Sequence, residues 1–339
     1  MTVEKSSAPT LRDVAALAGV SHQTVSRVIN ASERVLPETK ARVEAAIEKL
    51  GYRPNAIARS MVRGQTSTFG CLAPNLTDYT YASLIEGAET EVRRNGYFLL
   101  SSSANSEADF VALIDELVGY RRVDGMFVIS PFIDERFDHL PANIPVVFVG
   151  ARSRSKLLHT VYLDNQEGSC RAARHLVDLG HTVIAQVTGP HLEDCVEDRS
   201  HGYEQALLEA GITPDPDLTV EGNWTATSGY EAFQQIRARG LNPTAYVVQN
   251  DRMAVGVLRA ARDAGLRVPE DLSVVGFDDM PLASYFDPPL TTIRQDTFAM
   301  GRAAAQRLVE LLTQTEISHQ HIRFPAELVV RKSTGPCLH

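Results

Sequence analysis

The chain has 339 residues, 44% of them hydrophobic and 22% charged, with a net charge of −9; it is too long for one ordinary core, and two or three domains are expected. No stretch stays apolar long enough to cross a bilayer and the first ten residues lack a signal peptide's apolar run, so an unexported, cytoplasmic protein without membrane contact is expected. Its four cysteines (Cys71, Cys170, Cys195, Cys337) show neither close pairing nor metal-ligand spacing, and are expected to be reduced and inert.

The first fifty residues predict three short helices. Thr10 followed by Asp13 makes a capping box for a helix through Ala18, after which Gly19 supplies a positive φ. Ser21 caps a second helix running to about Asn30, and a third covers Glu38 to Leu50 before Gly51. Apolar residues recur at helical spacing: Leu11, Val14, Ala15 and Ala18 in the first; Val25, Val28 and Ile29 in the second; Val43, Ala46, Ile47 and Leu50 in the third. They predict one small, closed core. Residues 1–64 carry ten Lys/Arg against six Asp/Glu, or +4, which leaves −13 on the remainder. A basic head on an acidic body suits a head that approaches phosphate.

Residues 52–66 differ in character. Pro54 and Asn55 halt the preceding element, and a helix from Ala56 to near Gly64 is too short to hold in isolation, so a partner must order it. From about Ser67 strands alternate with helices. The strand candidates are 67–72, 97–101, 125–129, 145–149, 182–187, 245–248 and 273–277, with amphipathic stretches such as 81–95, 166–179, 200–210 and 251–263 between them. This alternation predicts parallel sheets covered on both faces, in two similar lobes, with a ligand outside the carboxyl ends of the strands.

Residues 11–30 (LRDVAALAGVSHQTVSRVIN) form a helix-turn-helix pattern. Ala15 lets the helices pack closely, Gly19 makes the turn, and Val20 and Val25 anchor the second helix. That helix turns His22, Gln23, Ser26 and Arg27 outward, side chains able to hydrogen-bond base edges in a major groove. Gln23 suits adenine and Arg27 guanine, each worth about 1–3 kcal/mol of discrimination. A solvated helix face is the plainer alternative.

Here the chain resembles the LacI/GalR family of transcriptional regulators over nearly its whole length. The resemblance rests on DVAALAGVS (13–21), TVSRVIN (24–30), LGYRPN (50–55), VVGFDD (274–279) and PLTTIRQ (289–295). It implies an all-α helix-turn-helix domain (1–51), a hinge helix (52–66) and an α/β, two-lobed, periplasmic-binding-protein-like body with parallel sheets (67–339). It further implies a homodimer on near-palindromic double-stranded operator DNA, with Ser21, Thr24, Asn30 and Asn55 joining the outward residues as DNA contacts. Hinge helices of the family pair in the minor groove and lever it open with a leucine. This chain has Met61 there, an apolar side chain able to wedge a base step, with Ala58 against the groove. The family's lactose repressor has Tyr at His22 and an aspartate at Gly150, which points away from its operator bases and from a lactose-like ligand, not from sugar binding.

The effector candidates combine carboxylate, amide, guanidinium and aromatic groups, which suit a sugar's hydroxyl pairs and apolar face. Asp278 and Asn250 follow strands, Arg199 opens the helix after 182–187, and Trp224, the only tryptophan, sits in the loop EGNW. The family places effector contacts at all four, and EGNW resembles the lactose repressor's segment. Gln295 and Asn75, the latter in the loop 74–78, complete the set. A turn residue, a helix cap, a surface ion pair and a core aromatic are the plainer roles for Asp278, Asn250, Arg199 and Trp224. A repressor released from its operator by a galactoside-like sugar is expected, with corepression by a purine or another metabolite as the alternative, because Trp224 suits stacking on a base. No cofactor or metal is called for, and no GxGxxG after a strand, P-loop, HExxH or GxSxG points to an enzyme. A sugar-binding transport protein would share the body but not the head. With no leucine-heptad tail before His339, a dimer is expected in place of a tetramer.

Overall fold

The computed structural model describes residues 9–29, 34–53, 64–129, 135–150, 159–313 and 321–338. Two compact units divide it, Met1–Thr66 and Ser67–His339. In the first, α1 (Leu11–Ala18), α2 (His22–Ile29) and α3 (Pro37–Leu50) enclose Val14, Val25 and Val43, each fully buried. All eleven apolar positions of the helical pattern belong to this core or pack against it. The capping box forms: the Thr10 backbone N–H donates to Asp13 Oδ2 at 2.7 Å, and Asp13 N–H to Thr10 Oγ1 at 3.4 Å. Gly19 takes φ 65°, and Ser21 Oγ accepts from Thr24 N–H at 3.2 Å to cap α2. Pro37, not Glu38, opens α3, because a proline at the first helical position forgoes no intrahelical bond. The expected hinge helix and its Asn55, Ala58 and Met61 fall at 54–63, outside the described residues, as does Asn30.

The second unit holds two six-stranded sheets. The strands β1 (Thr68–Ala73), β2 (Phe98–Ser103), β3 (Gly125–Ile129), β4 (Val146–Val149), β5 (His159–Leu163) and β11 (His321–Phe324) lie in the order β2-β1-β3-β4-β5-β11, all parallel. The other sheet contains β6 (Ile184–Thr188), β7 (Thr219–Glu221), β8 (Ala245–Val248), β9 (Ser273–Asp278), β10 (Thr291–Arg294) and β12 (Glu327–Val329), in the order β7-β6-β8-β9-β10-β12. Here the expectation of parallel strands needs one amendment, since β12 runs antiparallel to β10. The short strands β5, β7, β10, β11 and β12 are absent from the sequence-based expectation. β11 and β12 are edge strands with no fully buried residue, so they lack the continuous apolar run that marks a buried strand.

Helices α4 (Tyr79–Arg94), α5 (Glu107–Ile114) and α10 (Thr297–Thr313) serve the first lobe; α6 (Asn165–Asp178), α7 (Asp194–Glu209), α8 (Ala226–Ala238) and α9 (Asp251–Asp263) serve the second. The chain crosses between lobes after β5, after β10 and after β11. On the last pass but one, α10 returns to pack on α4, where Gly87 and Gly301 let the backbones meet. A Cβ at Gly87 would lie 2.1 Å from the Phe298 carbonyl oxygen, and one at Gly301 2.0 Å from that of Leu84. The carboxyl ends of both sheets therefore open onto one cleft between the lobes. Among the described residues no helix is long and apolar enough to cross a membrane, and no cluster of His, Cys, Asp or Glu is arranged to hold a metal.

Candidate effector cleft and DNA-reading helix

The cleft is a cavity of about 340 Å³ that Arg199, Trp224, Asn250, Asp278, Gln295 and Asn75 all line. Its second-lobe wall is a hydrogen-bonded assembly. The Arg199 guanidinium lies 3.6 Å over the Phe277 ring and 5.8 Å from that of Trp224. Its Nε donates to Asn165 Oδ1 at 2.9 Å, and a terminal nitrogen donates to the Gln249 carbonyl. Arg199 does not open its helix as expected: α7 begins at Asp194, and the arginine sits in the second turn, buried. The apolar stretch that suggested a start near 200 is the helix's inward stripe, and its first turn is acidic and polar.

Asp278 ends β9 with φ 117°, followed by Asp279 at φ 53°. Positive φ at two non-glycine residues in succession is held only by strong surroundings. Asp279 accepts from Arg294 Nε at 2.7 Å and Arg331 Nη2 at 2.5 Å, while Met280 N–H donates to Asp251 Oδ2 at 2.9 Å. This bracing presents Asp278, whose Oδ1 accepts from Gln295 Nε2 at 2.6 Å. Burial pushes the Asp278 carboxyl well above the ordinary carboxylate range; Arg199 opposes the shift, and Asp251 and Asp78 reinforce it.

Trp224 also carries positive φ, 66°. Its loop is tied by Asn250, whose Nδ2 donates to the Trp224 carbonyl at 3.2 Å while its Oδ1 accepts from Met253 N–H at 2.8 Å to cap α9. Asn250 thus lines the cleft and caps a helix at once. The indole packs on Gly189, where a Cβ would come within 2.0 Å of the ring. On the opposite lobe Asn75 folds into a turn, its Oδ1 accepting from Asp78 N–H at 2.7 Å and Thr77 N–H at 3.1 Å.

Two participants, Glu193 and Arg252, escaped the sequence reading, and a third, Asp78, lay in the expected loop 74–78 without being singled out. Glu193, buried, accepts the Trp224 indole N–H at 2.9 Å. Burial raises its carboxyl above the usual range and Asp78 adds to the shift, against the bond from Trp224 and the charge of Arg199. Asp78 caps α4 through Thr80 N–H at 2.9 Å and accepts from Arg252 Nη1 of the other lobe at 2.5 Å. Glu193 and Asp78 both follow a strand, the signal that could have found them. Arg252, in the first turn of α9, carried none.

On α2, His22, Gln23 and Arg27 are exposed, and Ser26 is half-buried. Thr24 is also half-buried and its hydroxyl lies 2.9 Å from Ser21 Oγ, so these two side chains fix the start of the helix.

The profile of bacterial regulatory proteins of the lacI family matches residues 10–55, and that of a periplasmic binding protein-like domain matches 173–334. The HTH-type transcriptional repressor PurR of Vibrio atlanticus is 34% identical over 96% of this chain and 98% of its own. The chain belongs to the lacI family of bacterial regulatory proteins. Catabolite control protein A of Priestia megaterium is likewise 34% identical to this lacI-family protein, over 96% of the chain and 99% of its own. The lac repressor dimer bound to operator and the anti-inducer ONPF shares its fold with a TM-score of 0.90 and 32% identity, covering 97% of this chain and 100% of that one. The complex of the transcriptional regulator CelR with cellobiose gives 0.75 and 33%, covering 96% and 99%. Members of the family bind operator DNA as dimers and answer to small-molecule effectors. This chain is a ligand-responsive, DNA-binding transcriptional repressor of that kind, not an enzyme.

Proposed function

We propose that this repressor is released from its operator in the cytoplasm by a sugar held in the cleft by Arg199, Trp224, Asn250, Asp278, Gln295 and Asn75. The observation that carries the reading is the company Trp224 keeps: an aromatic side chain on the cavity wall, with Glu193, Asp278 and Arg199 around it. Apolar ring faces and paired hydroxyls of a pyranose need those two kinds of surface side by side. A cavity of about 340 Å³ lies at the lower end of the range for small-molecule sites. The complex of the similar regulator CelR contains cellobiose. Binding that favours one lobe arrangement shifts the operator-binding population by its differential affinity. On the DNA side, His22, Gln23 and Arg27 read base edges, Ser21, Thr24, Ser26, Asn30 and Asn55 support them, and Met61 with Ala58 opens the minor groove between paired hinges.

A purine corepressor is the second reading, favoured by the full-length likeness to repressors named PurR, which are purine-responsive. Trp224 can stack on a base, and carboxylates can accept its ring N–H groups. The deciding experiment is fluorescence anisotropy of a labelled near-palindromic operator at fixed salt, titrated with cellobiose, galactosides, glucosides, hypoxanthine and guanine. Release by a saccharide is the expected result. Tightening by hypoxanthine or guanine overturns the sugar and the sign of regulation, and leaves the repressor intact.

A further inference from the structure

We propose that the cleft rejects anionic effectors and that Glu193 sets this selectivity, so that the effector is an uncharged molecule rich in O–H or N–H donors, without phosphate or carboxylate. The inference rests on the cleft being the effector site and holds for a sugar or a purine base alike.

Its starting point is a contradiction between the fold and the chain. Helix N-termini converge on the carboxyl ends of the strands, and each carries a partial positive charge with unpaired N–H groups, a ready site for phosphate. Here carboxylates occupy or face three of those ends, while Thr225 caps α8 and Asn250 caps α9. Asp78 caps α4, and Asp164 caps α6 by accepting from Glu167 N–H at 3.3 Å. Glu193 stands at the N-cap of α7 without bonding its backbone, and turns its carboxylate to the Trp224 indole instead.

The cations of the cleft are already engaged. Arg252 is held by Asp78 at 2.5 Å. Arg199 is held by Asn165 and the Gln249 carbonyl, between Phe277 and Trp224. Against Glu193 and Asp278 together, that leaves one guanidinium for two carboxylates. Both carboxyls are raised, with burial the largest cause and Asp78 adding to each, so the site resists the negative charge it already holds. A further anion meets that field, whereas a hydroxyl or ring N–H adds a donor beside the bonds that Glu193 accepts from Trp224 and Asp278 from Gln295.

The single tryptophan makes the test site-specific. Trp224 fluorescence of the full-length protein is quenched with caesium and with iodide at equal ionic strength, each normalised to N-acetyltryptophanamide. Caesium is expected to quench more effectively than iodide, and Glu193→Gln, which keeps an acceptor for the indole, to lower the caesium-to-iodide ratio by roughly two-fold or more. Iodide matching caesium in the wild type, or an unchanged ratio in the variant, overturns the proposal. This arm needs no effector. The second arm compares glucose with glucose 6-phosphate and hypoxanthine with inosine 5′-monophosphate in the operator assay. The phosphate of whichever neutral compound acts is expected to be on the order of 100-fold weaker, and Glu193→Gln to narrow that gap, which exclusion by size alone would not do. A gap that the variant leaves unchanged counts against Glu193. Hypoxanthine acting where glucose does not removes the sugar reading and leaves the charge selectivity standing.

Discussion

The two lobes are built on one plan and use it differently. Strand orders β2-β1-β3-β4-β5 and β7-β6-β8-β9-β10 are the same winding, and both present their carboxyl ends to the cleft. The first lobe presents Leu84, Ile129, Val149, Leu163 and Met300 beside the polar Asn75, Thr77, Asp78, Thr80 and Thr297; the second presents Glu193, Arg199, Trp224 and Asp278, which gather three ionisable groups around one aromatic. Two of the second lobe's contacts, Trp224 and Asp278, stand on positive φ and are braced by side-chain bonds. Apolar contact tolerates small displacements, but a buried charge misplaced by an ångström loses its partner. The difference teaches that one half of a repeated architecture can be made to recognise and the other to cover. On the proposed reading, specificity lies where the bracing is.

The harshest test of that division removes the second lobe's central cation. Arg199→Met keeps an apolar stem against Phe277 but leaves Asn165 and the Gln249 carbonyl without their donor, and Glu193 and Asp278 without an opposing charge. A loss of about 3–5 kcal/mol in stability is expected from breaking a buried charged contact. Effector-driven operator release is expected to weaken on the order of 100-fold, as for charged hydrogen bonds lost from a desolvated site. Met300→Ala, on the covering lobe, is expected to weaken all effectors alike by about ten-fold or less. Chemical denaturation and the operator assay measure both. Equal losses from the two variants would end the distinction between recognising and covering.

Much of this was legible in the sequence, and what was missed has a common cause. The head declared itself because caps, turn and apolar period agree in α1 and α2, and the apolar period in α3, whose start at Pro37 carries no side-chain cap. Strands β3 and β8 stood out as short apolar runs, and the second lobe's site residues as polar groups just beyond such runs. Glu193 and Asp78 also follow strands, but their roles depend on side chains distant in sequence, Trp224 on the same lobe and Arg252 on the other, and no local pattern encodes that. Arg199 was recognised while its helix start was misplaced by six residues, since α7 opens with Asp194, Glu197 and Asp198, an acidic turn without apolar period. Edge strands β11 and β12 were invisible because short strands without a buried residue look like loops.

The bracing itself carries a pH signature. Asp251, fully buried, accepts from Thr292 Oγ1 at 2.5 Å and Met280 N–H at 2.9 Å; burial, with Asp279 nearby, raises its carboxyl from 3.8 to about 7. A folded-state value above the unfolded one means that the folded protein holds the proton longer. The contribution is therefore complete below about pH 4 and is lost as pH rises toward 7, by at most about 1.4 kcal/mol per pH unit. Asp251→Asn is expected to flatten that part of the stability profile, measured by urea denaturation from pH 4.5 to 7.5. An unchanged slope would mean that the turn presenting Asp278 is held by Arg294 and Arg331 alone.

The smallest effect belongs to the one contact described here that joins the lobes side chain to side chain across the cleft. Arg252 and Asp78 meet at 2.5 Å, but the arginine side chain is 38% exposed. An ion pair open to solvent contributes about 0–1 kcal/mol and is screened by salt. Arg252→Met is therefore expected to shift effector affinity by no more than about five-fold, and less at 0.5 M salt than at 0.05 M. It also frees the Asp78 carboxylate, so any change in preference should run further against glucose 6-phosphate relative to glucose. A loss as large as that of Arg199→Met would make the covering lobe a charged participant in recognition, and the asymmetry between the lobes would then lie in their geometry, not in their chemistry.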